Sequence, residues 1–134
     1  MANLTDGRAS VDVSTNKTLA AADSGIVQNV VADGITITLP ATTAAGNFII
    51  RNGGLKPSGA ANGAVSSGTV LVTVAPNAAD GITGNGFTAT VNKAALNTKA
   101  TSRVGDELRL RGTGTTGVTG WVVESAIGTW ARQA

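Results

Sequence analysis

The sequence predicts an all-β domain: a two-sheet sandwich of jelly-roll type with about eight short strands. Three observations lead there. Val, Ile and Thr supply 40 of the 134 residues, and β-branched side chains favour the pleated backbone over the helix. The 18 glycines are scattered rather than clustered. Several stretches alternate apolar and polar residues between turn signals, with no sustained helical period. The 42% apolar content includes 22 alanines, leaving 34 larger apolar residues, so the core is thin. A chain of this length buries about two thirds of its surface, enough for one core and one domain.

Residues 1–9 are small and polar around Gly7 and are expected to form a flexible arm, with a single sandwich domain over 10–134. Thr18-Leu19-Ala20 leads to a turn at Asp23-Ser24-Gly25, followed by the apolar runs Ile26-Val27 and Val30-Val31. Asp33-Gly34 then predicts a hairpin into Ile35-Thr36-Ile37-Thr38-Leu39, whose alternation buries one face until Pro40 stops the ladder. Another strand, residues 46–51, closes on Asn52-Gly53-Gly54. Residues 55–68, rich in Pro, Ser, Ala, Asn and Gly, read as an exposed excursion. Residues 69–74 form a strand covered on both faces. Asp80-Gly81-Ile82-Thr83 repeats the letters of Asp33-Gly34-Ile35-Thr36, which we attribute to turn chemistry rather than duplication. Residues 86–91 alternate as a strand, and residues 92–102 are the one region where a helical turn is expected, around Lys93-Ala94-Ala95-Leu96. Two further strands, residues 106–111 and 121–125, flank a Gly/Thr loop, and a last one ends near Trp130. Close, turn-punctuated strands without intervening helices favour a closed double layer over an open sheet with long edges.

Composition narrows the chemistry. There is no Cys, His or Tyr, so disulfides, thiolate nucleophiles, Cys-ligated metals and imidazole general bases are excluded. Ten cations against eight anions give a formal charge of +2, and Phe48, Phe87, Trp121 and Trp130 are too few for a nucleic-acid stacking surface. The opening residues contain no apolar run, so neither a secretory leader nor a membrane anchor is expected. Gly112-Thr113-Gly114-Thr115-Thr116-Gly117 matches the dinucleotide fingerprint in letters. The β-branched run after it predicts a strand where that fingerprint needs a helix, so it is read as a hairpin loop. Carboxylates are the remaining acid–base groups. Asp106 and Glu107 are adjacent on a strand and point to opposite faces. Asp6, Asp12, Asp23, Asp33 and Asp80 mostly sit beside Gly or Ser in turns, where they bond local backbone, with calcium ligation a lesser alternative. Arg109 and Arg111 share a strand face with Glu107. They either grip a partner's carboxylates or line a solvated sheet face with cross-strand partners. Trp121 and Trp130 read as packing residues before ligand platforms, Trp130 being the better contact candidate.

The succession Asp23-Ser24-Gly25, Asp33-Gly34-Ile35-Thr36-Ile37-Thr38-Leu39-Pro40-Ala41, Gly46-Asn47-Phe48-Ile49-Ile50-Arg51-Asn52, then Gly120-Trp121-Val122-Val123 closing on Gly128-Thr129-Trp130, resembles the small head decoration, or cement, proteins of tailed bacteriophages. The resemblance spans residues 19–130. It implies a jelly-roll domain acting as a homodimer on the outer capsid surface of the virion, made in the host cytoplasm. There it would bridge neighbouring major capsid protein subunits and stabilise the shell against internal DNA pressure. It implies no catalytic residue, cofactor or metal, and no direct contact with nucleic acid or membrane. Arg8, Arg109, Arg111, Trp130 and Arg132 are the candidates for partner contact, and residues 2–9 and 55–68 the segments expected to meet the capsid. Two alternatives belong to other classes. One is a carbohydrate- or receptor-binding module of a phage tail or fibre using Trp121 and Trp130; the other is a small carboxylate hydrolase.

Overall fold

A computed structural model describes residues 9–44, 46–61 and 64–134, together with the backbone of residues 3–4. Twelve strands run in chain order: β1 (Asn3–Leu4), β2 (Ala9–Val13), β3 (Lys17–Thr18), β4 (Val27–Val30), β5 (Ile35–Thr38), β6 (Asn47–Asn52), β7 (Val72–Ala75), β8 (Ile82–Thr83), β9 (Ala95–Asn97), β10 (Glu107–Gly112), β11 (Trp121–Ile127) and β12 (Ala131–Arg132). Eight of these are three residues or longer. They build two packed sheets, one ordered β1-β2-β4-β6-β10-β11-β8 and the other β12-β9-β7-β5-β3. The sequence-predicted all-β sandwich is therefore observed. Among the described residues no helix is long and apolar enough to cross a membrane.

The jelly-roll connectivity is corrected. A jelly roll is antiparallel throughout, whereas β2–β4, β4–β6, β3–β5, β5–β7 and β8–β11 pair in parallel. From β2 to β10 the chain changes sheet at every step. As far as β7, each return to a sheet follows one crossing out and one back, and the chain arrives running the same way, so β2, β4 and β6 pair in parallel, as do β3, β5 and β7. The Asp33-Gly34 hairpin is overturned for the same reason, since β4 and β5 lie in different sheets. The Asp33 carboxylate accepts from Leu71 N–H at 2.8 Å and Gly34 N–H donates to Leu71 C=O at 3.0 Å, so this turn bonds the next winding.

Successive windings repeat one geometry. Leu19 N–H donates to Thr38 C=O and Leu39 N–H to Ala75 C=O, both at 2.8 Å. Val31 N–H donates to Val13 C=O and Gly53 N–H to Val30 C=O in the same manner. A short 3-10 turn, Ala21–Asp23 or Thr42–Ala44, follows each of the two leucines. The Asp-Gly-Ile-Thr letters are not part of this repeat: Gly34 takes φ +74° while Gly81 needs no left-handed backbone, and Ile35 and Ile82 open strands in different sheets.

Two local expectations are also corrected. Residues 93–96 hold no helical turn, because Ala95–Asn97 is β9, paired antiparallel with β7 and with Ala95 fully buried. The turn expected within residues 92–102 sits instead at its far end, at Thr98, whose carbonyl accepts from Thr101 and Ser102. Residues 86–91 do not form a strand; isolated bridges Gly84–Phe87 and Gly81–Val91 replace it. Within the stretch expected as an arm, Asn3–Leu4 pairs antiparallel with Ala9 and Ser10.

Inward-facing residues of both sheets make one core: Val13, Val30, Phe48, Ile50, Leu108, Leu110 and Trp121 from the larger, Ile35, Ile37, Val72, Val74 and Ala95 from the smaller. Phe48 and Trp121 meet edge to face at 5.4 Å between centroids and 65° between planes. Replacing Leu39 or Trp121 by Ala removes a fully enclosed side chain, and each variant is expected to lose about 2–5 kcal/mol of unfolding free energy. Thr115→Ala, in an exposed loop, is expected to stay within about 0.5 kcal/mol. Urea midpoints of the three proteins check this.

Candidate interaction surface

The outer face of the larger sheet carries the charge. Cross-strand register sets Asp12, Asn29, Arg51 and Glu107 side by side on β2, β4, β6 and β10. Asp12 accepts from Asn29 Nδ2 and from Lys56 Nζ, both at 3.0 Å. Glu107 accepts from Arg51 Nε and Nη2 at 3.4 Å, and the Arg109 guanidinium lies 3.8 Å from its other oxygen. Arg111 sits 3.6 Å from Glu124. Glu124 occupies the extra position where the β10–β11 register shifts between Arg109 and Leu110. This bulge aims its carboxylate at the Arg111 row.

Arg109 and Arg111 thus stand on one face with Glu107, as the strand period requires, while Leu108 and Leu110 enter the core. Both arginines have acidic neighbours, and both keep about half of the side chain in solvent, at 41% and 51%. The positive stripe is a mixed-charge strip with two partly exposed guanidinium groups. Arg109 Nε is buried without a hydrogen-bond partner among the described residues.

The remaining candidates lie elsewhere. Trp130 packs partly buried against the core and donates through Nε1 to Ile127 C=O at 3.0 Å. Arg132, on the edge strand β12, donates to Gln133 C=O at 3.0 Å. Arg8 falls outside the described residues. Trp121 is completely buried, so it is not the sugar platform considered for it; residues two positions apart on its strand alternate into a core closed by both sheets, and the indole fills that space. Its Nε1 finds no partner among the described residues.

Each of the seven described carboxylates is held. Asp23 accepts from Ala20 N–H and Lys17, within its own turn. Asp33 and Asp80, expected to bond local backbone, instead serve distant segments. Asp80, 1% exposed, accepts from Thr42 N–H and Gly117 N–H, both at 3.1 Å, and Thr42 Oγ1 donates to Gly120 C=O at 2.6 Å. At the other end of the sandwich Asp106 accepts from Arg103 N–H and Asn97 Nδ2, both at 2.9 Å. Asn97 Oδ1 accepts from Asn52 Nδ2 at 2.8 Å, and Asn52 Oδ1 accepts from Gly54 N–H. This buried chain joins β6 of the larger sheet to β9 of the smaller. Gly128 (φ +86°) packs so closely on it that a Cβ there would fall on the Asp106 carboxylate. No polar pattern along the sequence signals the network, because its members are 45 and 9 positions apart. An open depression of about 540 Å³ lies beside it, lined by Thr101, Arg103, Asp106 and Thr129 among others. Among the described residues no three His, Cys, Asp or Glu side chains converge on a metal-sized site.

Comparison of the chain with family models, with curated proteins and with solved structures returns no match.

Asp106→Ala leaves one Asn97 Nδ2 hydrogen and the Arg103 amide without their acceptor, and a loss of about 3 kcal/mol is expected. Arg111→Ala removes an exposed pair and is expected to change stability by less than about 1 kcal/mol. Denaturant unfolding separates the two. The Asp33 carboxyl is held below its ordinary pKa, first by the Leu71 N–H and then by the Lys99 ammonium at 2.7 Å. Its contribution to stability is therefore present above the ordinary carboxylate pKa and lost as pH falls through the depressed one. In an NMR titration Lys99→Ala should raise the Asp33 midpoint but leave it below that of an unstructured Asp, because the Leu71 bond remains.

Proposed function

We propose that this chain is a structural decoration protein of a tailed-phage head, binding the outer surface of the major capsid protein lattice and pairing with a second copy of itself. The observation that carries this reading is the use made of the carboxylates. They are the acid–base groups the composition leaves, and each described one serves to hold loops, sheets or side-chain rows in place. A molecule organised in this way works by keeping its shape against a partner. The resemblance along residues 19–130 supplies the class of partner.

Lattice binding needs no strong single contact. Many copies on a repeating surface turn modest interactions into stable coverage, and a protein that binds only the assembled shell stabilises it in proportion to occupancy. A two-fold pair would offer the same patch twice, one to each neighbouring capsomer. Arg109 and Arg111, with Trp130 and Arg132 at the edge, remain the proposed contact residues, together with Arg8 and the segments 2–9 and 55–68.

On a denaturing gel of purified particles of the phage that encodes the chain, its band should rival that of the major capsid protein. Absence from particles, or presence in only tens of copies as a fibre module would show, contradicts the proposal. Purified protein should also rebind heads that lack it, with Arg111→Ala binding more weakly while its stability stays within about 1 kcal/mol.

A further inference from the structure

We propose that Asn85 is a site of spontaneous deamidation, and that the fold exposes this Asn-Gly step while protecting another. The chain contains three such steps, Asn52-Gly53, Asn62-Gly63 and Asn85-Gly86; the second lies outside the described residues. Glycine is the following residue that least hinders attack, because it carries no Cβ.

Asn85 and Gly86 are both exposed. They form the two central positions of a tight turn, with φ of +50° and +84°, closed by Phe87 N–H donating to Gly84 C=O at 3.0 Å. Positive φ at both positions is the type I′ pattern that Asn-Gly favours. Nothing lies within 4 Å of the place a Cβ would take at Gly86, so solvent surrounds the step and the turn has room to rotate. Asn52 and Gly53 are both buried. The Asn52 carboxamide is fixed by Asn97 at 2.8 Å, Val70 C=O at 3.3 Å and Gly54 N–H at 2.9 Å, and the attacking atom, Gly53 N, is engaged with Val30 C=O at 2.7 Å.

In the reaction the Gly86 backbone nitrogen attacks Asn85 Cγ. The new N–Cγ bond closes a five-membered succinimide, the Cγ–Nδ2 bond breaks, and Nδ2 leaves as ammonia with the proton lost from Gly86. Water then opens the ring at either carbonyl, giving Asp or isoaspartate. Either product removes one unit from the formal charge of +2. Isoaspartate also adds a backbone carbon to the turn, which breaks the Gly84–Phe87 bridge and loosens Phe87 from its packing on the core.

The test is peptide mapping by mass spectrometry of the intact protein held in warm, mildly alkaline buffer, with a synthetic peptide of residues 82–88 and the denatured protein in parallel. Asn85 should convert at least about 100-fold faster than Asn52 in the folded chain, given the several hydrogen bonds Asn52 must first release. In denaturant the two should converge. Asn85→Gln should remove the acidic charge variant whose peptide map places the new carboxylate at residue 85. A folded-state ratio below about ten, where each factor of ten is a small barrier difference, overturns the proposal, as does a folded Asn85 that stays intact while the peptide converts. Failure of Asn52 to catch up in denaturant overturns the claim that the fold protects it.

Discussion

The structure depends on one constraint: from β2 to β10 the chain crosses between the two sheets at every step. Crossing out and back makes β2, β4 and β6 run in the same direction, and likewise β3, β5 and β7. In-register parallel strands place equivalent residues in line, so the inward positions stack into a continuous core from side chains no larger than Val, Ile and Leu for most of its length. The C-terminal strands then close both sheets in the antiparallel sense, β9 beside β7 and β10 beside β6. A lean apolar content suffices because strands of both sheets contribute their inner faces to one shared layer.

Polar groups hold what the thin core leaves loose. Asp80 gathers the backbone of residues 42 and 117, and the Asn52–Asn97–Asp106 chain joins the sheets at the opposite end. Buried polar groups of this kind are stabilising only when satisfied. Here the carboxylates and carboxamides find backbone amides or one another. The outer face of the larger sheet has the opposite character, with charges of both signs in adjacent rows and Arg109 and Arg111 partly in solvent. One face therefore carries the adaptable charged contacts while the ends lock the body that presents them.

The strand content was legible from β-branched composition and from alternation, as at residues 35–39, where side-chain period reports local backbone directly. Connectivity was not. An Asp-Gly pair serves a hairpin or a crossing arch equally well, and what decides is whether Asp33 finds its partner across the turn or at Leu71 in the next winding. Ala94-Ala95-Leu96 has helical propensity, but Ala95 is small enough to sit fully buried against β7 and Asn97 is needed by Asn52, so tertiary context overrides the local preference. The repeat of Thr18-Leu19 and Thr38-Leu39 is less conspicuous in sequence than Asp-Gly-Ile-Thr, because only the backbone bonds to the following winding reveal which pair is equivalent. At the surface, the Arg109/Arg111 face follows from strand period alone. The salt-bridge partners depend on the β11 bulge, which no local signal announces.

A sandwich wound in this way presents a broad sheet face whose charged side chains, Arg109 and Arg111 among them, stand on strands. The winding itself is most directly tested by backbone NMR contacts in the uniformly labelled protein. The account predicts cross-strand contacts of parallel type between residues 35–38 and 72–75 and between 27–30 and 49–52, and none between residues 27–30 and 35–38. Antiparallel contacts pairing residues 27–30 with 35–38 across Asp33-Gly34 would contradict it.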